Sequence, residues 1–308
     1  MKLFCSVILL VFLLFQYPSR LYGERDCKDM VHAGYMLIYN FDFAAAAVHA
    51  DETVALFPEV PESHLLAANY YWWLIITGED NDQNRSRFNE ELRKTLEILY
   101  QEGRCRPATM QDIFNSIMAY AYLSRLDVMA KNRFRCLLHV SDCMKYLKQS
   151  FGKEDRFLSF NLTSGLYNYF IAYGIENHPL FYPTLILMPP GSRETGLRQL
   201  AVAAASADTL ISTEGNYFLL KILSELENNY EEAGKYAAVL ADRFRGNMLY
   251  QYLYFRVLLD AGKKAEAQHQ LEKLHLLSRQ SNGSSGKQKS FFLGLASDDL
   301  KNYYLQKK

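Results

Sequence analysis

Residues that break helices are rare in this chain. Only 8 prolines and 16 glycines occur among 308 residues, and a scarcity of both favours helices over a turn-rich β fold. No charge of one sign prevails. Lys+Arg and Asp+Glu stand at 34 each, so no global field draws the chain to nucleic acid or to an anionic bilayer. No Cys-x-x-Cys pair is present, which removes the usual zinc and thioredoxin-like patterns. The seven histidines (His32, His49, His64, His139, His178, His269 and His275) include neither HExxH nor any other i,i+4 pair. A GxSxG elbow, a Walker loop and a GxGxxG turn are missing as well. The expectation is a chain with no metal, no cofactor and no catalytic residues.

What chemistry-bearing residues there are read as structure. His269 and His275 sit on a charged helix and read as a solvated face. Glu90, Glu91, Arg93 and Lys94 share one helix, with Glu90 and Lys94 at i,i+4. Cys143 follows Ser141-Asp142 without an identifiable histidine partner and reads as a structural thiol. The remaining acids and bases are scattered, and no carboxylate pair stands out. Asn84, Asn161 and Asn282 open glycosylation triplets, and Asn161 falls inside an expected helix.

The N-terminus has a different composition. Lys2 precedes LFCSVILLVFLLF, an uncharged apolar run, and polar PSRLYGER follows. A basic start, a short apolar core and a polar flank make the pattern of a secretory signal. The core is shorter than the roughly 20 residues that span a bilayer comfortably. Residues 1–23 are therefore read as a signal peptide cut after Gly23, the alternative being an uncleaved anchor. The sequence around Cys27 argues against lipoprotein attachment, because Arg25-Asp26 precedes it where small apolar residues are needed. The chain is expected to be exported: periplasmic or envelope-associated in a bacterium, secreted otherwise. Without residues 1–23 the net charge becomes −2 and four cysteines remain, Cys27, Cys105, Cys136 and Cys143. Cys136 and Cys143 lie about 10 Å apart along a helix, too far to bridge. Buried thiols are expected.

Helical segments are expected near 27–39, 43–57, 61–77, 85–102, 109–125, 127–149, 155–174, 193–206, 209–228, 230–244, 248–261, 264–279 and 287–305. Pro58 and Pro61, Gly78 to Asn84, Gly103 to Pro107, and Gly262 punctuate them. FYPTLILMPPG (181–191) reads as a long packed loop. SNGSSGK (281–287) reads as a flexible linker, so that residues 282–308 form a linker and a last helix.

Paired helices invite a search for a fixed period. Ala233 and Ala267 are 34 residues apart, as are Gly34 and Ala68. The clearest unit is residues 27–60, with Gly34 at the eighth place, Leu37 at the eleventh, Ala46 at the twentieth and Pro58 at the thirty-second. Ala68 and Tyr71 recur in the next unit, Gly165 marks a later one, and Ala233 and Ala267 mark the last two. These residues resemble the tetratricopeptide repeat, in degenerate form, as in exported bacterial members of that family. Small residues let two antiparallel helices approach closely, proline ends the second helix, and stacking of pairs supplies the core. The resemblance covers most of residues 27–281 and implies an all-α, right-handed superhelical α-solenoid of about six antiparallel helix pairs over residues 24–281. The last helix, with Phe291, Phe292, Leu295, Leu300 and Tyr304, would cap the open end. A generic α-solenoid is the alternative.

The same resemblance implies a function. Family members bind through a concave groove lined by the first helix of each pair. The matching places here are Tyr35, Asn69, Trp72, Trp73, Tyr120, Tyr169 and Arg256. This set is aromatic and polar, without the clustered Lys and Arg of a clamp for carboxylate tails. The competing reading buries these rings under neighbouring helices. In NYYWWLIITGED (69–80), Ala68, Tyr71 and Ile75 form one stripe, expected inside the stack. Asn69, Trp72, Trp73 and Ile76 form another, expected toward the groove. The leading expectation is an exported protein-binding scaffold for a peptide or protein partner, in envelope assembly. A glycan- or lipid-binding solenoid is the alternative, since aromatic walls also hold small molecules. An enzyme with an unrecognised site is the third reading.

Overall fold

The computed structural model describes residues 24–100, 109–177, 188–280 and 286–306. Among these residues all regular structure is helical: α1 (Glu24–Tyr39), α2 (Phe43–Leu56), α3 (Pro61–Ile76), α4 (Asp82–Leu99), α5 (Met110–Met129), α6 (Arg133–Ser150), α7 (Phe160–Asn177), α8 (Arg193–Ala204), α9 (Thr209–Glu225), α10 (Tyr230–Arg243), α11 (Met248–Asp260), α12 (Lys264–Arg279) and α13 (Gly286–Gln306). The signal-peptide reading (1–23), Cys105, His178 and the linker residues 281–285 lie outside the described residues. No described helix is long and apolar enough to cross a membrane.

Local chemistry accounts for the ends of these helices. Side chains of Asp42, Asn81, Asn132, Ser192, Asp208, Asn229 and Asn247 accept from the backbone N–H three residues on, and Thr109 and Asp112 form a reciprocal capping box. Each such cap stabilises its helix by about 1 kcal/mol. Pro61 opens α3, where its missing N–H costs nothing. Four helices stop in the same way. After α1, α3, α5 and α11 the chain takes a left-handed residue: Phe41, Gly78, Lys131 or Gly262. Each is flanked by a six-to-one backbone bond: Asp42 to Leu37, Glu79 to Leu74, Asn132 to Asp127, and Lys263 to Leu258. The left-handed turn at Lys131 divides what the sequence reading ran together from 127, because Asp127 belongs to α5 and α6 starts at Arg133.

Consecutive helices pack as pairs, α1 with α2 through α11 with α12, and each pair packs on the next. Small residues set the spacing. A Cβ on Gly34 would stand 2.5 Å from the buried Leu66 side chain. One on Gly196 would stand 2.6 Å from the Tyr169 nitrogen and 2.8 Å from the Gly165 oxygen, so α7 and α8 nearly touch. Ala46, Ala68, Ala233 and Ala267 are all buried. Leu37 is half-buried, and Pro58 is exposed just past the end of α2. Tyr71 is only half-buried and meets Tyr70 edge-on at 5.1 Å.

The stack does not stay open. α9 packs against α1, and Thr209 Oγ1 lies 3.1 Å from His32 Nδ1. Asn247 Nδ2 donates to the Tyr39 carbonyl at 2.9 Å, while Tyr39 meets Phe244 at 5.4 Å and Trp73 meets Tyr250 at 5.6 Å. The last helix seals this joint. α13 packs on α11 and α12, places Phe292 6.0 Å from Phe41, and donates from Gln288 Nε2 to Thr77 Oγ1 at 2.8 Å. α13 covers the last pair, where the sequence suggested a cap, and also reaches the first two pairs through Phe41 and Thr77. The first helices of the pairs thus surround one interior, filled by Tyr35, Tyr39, Trp73, Tyr122 and Tyr250.

Candidate functional site

Two adjoining cavities open in that interior. The first, 450 Å³, lies between the C-terminal parts of α3 and α5, the middle of α7, α9 from Glu214 onward and the start of α11. Its walls include Trp72, Ile76, Phe170, Phe218, Ile222 and Leu249. The second, 330 Å³, runs between α5, α6 and α7 and is the more aliphatic of the two, with Met118, Ala121, Val140, Met144, Leu147 and Leu166 beside the rings of Tyr122 and Tyr167. They share Arg125, Phe170, Glu214 and Phe218, so one ion pair and two rings stand where they meet. The size and apolar lining are those of a small-molecule cleft.

Glu214 is the unusual group. It is 7% exposed, and among the described residues no hydrogen-bond donor reaches its carboxylate. Its countercharge, Arg125 Nη2, stands 4.0 Å away. Arg125 is occupied on its faces: its guanidinium lies 4.8 Å from the Phe218 ring centre and 5.3 Å from that of Tyr122. Burial pushes the Glu214 carboxyl above the usual carboxylate range, and Arg125 only partly opposes this. The rings around it respond. Burial raises the phenols of Tyr35, Tyr39, Tyr122, Tyr217 and Tyr250, and the Glu214 charge raises each further. Tyr217 is pushed up to about 12. Among the described residues the Tyr39 hydroxyl, Asn69 Oδ1 and the Thr213 hydroxyl are buried without a partner, although Asn69 Nδ2 donates to the Tyr122 hydroxyl at 2.6 Å.

The seven residues expected along a groove are divided by this arrangement. Trp72 and Trp73 both line the first cavity. Trp72 is half-buried and leans on Phe88 and Tyr122 at 5.6 and 5.9 Å. Trp73 is 3% exposed and belongs to the core as much as to the cavity. Tyr35 and Asn69 are buried in the interior. Tyr169 is fully buried, with its hydroxyl donating to Glu227 at 2.5 Å, and Glu227 is clamped by Arg193. Tyr120 stacks on Tyr146 at 6.1 Å and borders neither cavity. Arg256 stands one ion pair behind the rim, 3.3 Å from Glu225, which lines the first cavity. The sequence reading did not single out Arg125, Phe170, Glu214 or Phe218. One signal was present: Arg125 is the only basic residue of α5.

The polar pairs elsewhere are structural. Asp127, 1% exposed, takes Arg135 Nε at 2.8 Å and His139 Nδ1 at 2.7 Å and ties α6 to α5. His139 lies one turn before Cys143, an arrangement that invites comparison with a cysteine nucleophile. Cys143 instead donates to the Ile117 carbonyl, and burial pushes its thiol up to about 12, far from the thiolate such chemistry needs. Asn161 is buried, and its amide nitrogen donates to the Glu154 and Leu158 carbonyls. Among the described residues no group of three His, Cys, Asp or Glu side chains is placed to hold a metal ion.

The fold and cleft define an all-helical stack of paired helices with an apolar interior site. No protein-family model, no curated protein and no solved structure matches the chain.

Proposed function

We propose that this chain is an exported, non-catalytic binding protein of the tetratricopeptide-like class, and that its ligand is a small, largely apolar molecule held in the central cleft. One observation carries the reading: the two adjoining cavities, 450 and 330 Å³, walled by aromatic and aliphatic side chains. Unfilled apolar volume forfeits dispersion contacts, so a molecule of matching shape is stabilised there. The inward curl of the stack supports a small ligand over an extended peptide, because it turns Tyr35 and Asn69 into the interior. Both tryptophans of the chain border the first cavity, so intrinsic fluorescence reports its occupancy. Titration with decanol should give a saturable spectral change in the wild type and none after Ile76→Asp at the cleft wall. A linear, unsaturable response in both would overturn the reading.

A second reading, a scaffold for a protein partner, is favoured by a different surface. Phe134, Leu137 and Leu138 are 73%, 66% and 49% exposed at i, i+3 and i+4 on α6. Grouped exposed apolar residues mark interaction sites. Crosslinking in native envelopes should then capture one protein, and Phe134→Glu with Leu137→Glu should release it. Capture unaffected by that double substitution would remove the second reading.

A further inference from the structure

The cleft has an electrostatic character that its apolar walls conceal. Glu214 is more than nine-tenths buried, borders both cavities, accepts no hydrogen bond among the described residues and has its one countercharge at 4.0 Å. A buried carboxylate left in this state is costly unless something donates to it. Arg125 is held between the Tyr122 and Phe218 rings and does not close to hydrogen-bond distance. The cavity that Glu214 borders is walled by the rings of Trp72, Tyr217, Phe218 and Tyr250. Aromatic faces around a carboxylate favour an organic cation, whose charge meets the rings and whose desolvation is offset by the acid. The adjoining aliphatic cavity contains no second acid and suits an alkyl chain.

We propose that the ligand is a cationic amphiphile: an ammonium group seated against Glu214 within the ring-lined cavity, with its hydrocarbon tail in the aliphatic cavity between α5, α6 and α7. This rests on the cleft being a ligand site and adds the charge of the ligand. The charged groups around the seat are Arg125, Lys221 and Glu225. Lys221 and Arg256 already neutralise Glu225, and this leaves Glu214 as the acid available to a ligand.

The test compares three probes of one chain length, decylammonium, decanol and decanoate, each below its micelle concentration, by tryptophan fluorescence on the full chain. The ammonium probe should bind about tenfold or more tightly than decanol, as expected for a charge-assisted seat. Glu214→Gln should abolish that preference, bringing the ammonium probe to within about twofold of decanol on the same variant. Equal affinity for all three probes, or a preference for decanoate held by Arg125, would overturn the cation inference and leave the cleft as a ligand site. A cation preference that persists in Glu214→Gln would also overturn it. Saturable binding by none of the three would sink both readings. The wild-type series stands without any variant, so it decides the matter even if Glu214→Gln does not fold.

Discussion

Phe292→Ala is the sharpest perturbation of the joint that curls the stack. Phe292 is fully buried, with ring centres 6.0 Å from Phe41 and 6.2 Å from Tyr252. It therefore touches the first pair and the sixth at once. A buried phenylalanine hides about 150–250 Å², worth about 4–6 kcal/mol at about 25 cal/mol per Å². Truncations of this kind lose about 3–5 kcal/mol. Because α13 is the outermost helix and can settle into the gap, about 3 kcal/mol is the expected loss. At about 2–4 °C per kcal/mol in a domain near this size, the melting temperature should fall by about 6–12 °C. Urea unfolding followed by circular dichroism measures the loss directly. A second readout separates a seal from a simple cap. Phe41 meets Trp73 edge-on at 5.8 Å, so loosening Phe292 should alter tryptophan emission before global unfolding. A loss below about 1 kcal/mol with unchanged emission would mean that α13 only covers an end, and the reasoning would fail.

Three further outcomes follow from local geometry. Burial alone would lower the His64 pKa, but its hydrogen bonds to Glu91 at 2.7 Å and to the Pro58 carbonyl at 3.0 Å outweigh that and hold it above 6.5. The stability from this clamp is therefore fully present below the unfolded value and is lost as pH rises through the higher folded one. The melting-temperature gap between wild type and His64→Gln should shrink as pH is raised, and a constant gap would refute the charged clamp. Gly196→Ala should cost about 1–3 kcal/mol, since its Cβ meets backbone of α7. Gly234→Ala should instead gain about 0.5–1 kcal/mol, because only Val257 lies near, at 3.8 Å; like signs in urea melts would contradict the packing of α7 on α8. With its thiol pushed up to about 12, Cys143 should resist iodoacetamide at neutral pH in peptide-mapped alkylation, and rapid labelling of the folded chain would show that its burial is wrong.

Helix order was legible because each signal is local. Asp42, Asn132, Asp208, Asn229 and Asn247 cap helices through bonds spanning three residues, and Pro61 and Gly262 punctuate at fixed offsets. The small residues Gly34 and Gly165 marked close approaches for the same reason. The curl was not legible. The bond from Asn247 to Tyr39 spans 208 residues, and that from Gln288 to Thr77 spans 211; nothing in a helical period encodes them. This explains the mixed fate of the site residues. An open groove would expose Tyr35 and Asn69, whereas α9 packed on α1 covers the interior that holds Tyr35; Tyr169 is covered locally, by Glu227 and Arg193. Trp72 and Trp73 still reach the cavity because they lie in the C-terminal part of α3, with Ile76. In NYYWWLIITGED the division into stripes is also shifted. Asn69 and Trp73 are buried with Ala68 and Ile75, while Tyr71, Trp72 and Ile76 are half-buried. Arg125 and Glu214 are not legible as a pair because they lie 89 positions apart in the sequence, and each looks like an ordinary charge in its own window.

The central claim, that the interior cleft holds an apolar ligand, is tested most directly by equilibrium dialysis of labelled decanol against the wild type and Ala121→Trp. Ala121 lines the aliphatic cavity, and an indole in its place fills that space without adding charge. The account predicts saturable, stoichiometric uptake by the wild type and little by the variant, with both chains equally helical by circular dichroism. Equal uptake by the two folded chains would contradict it.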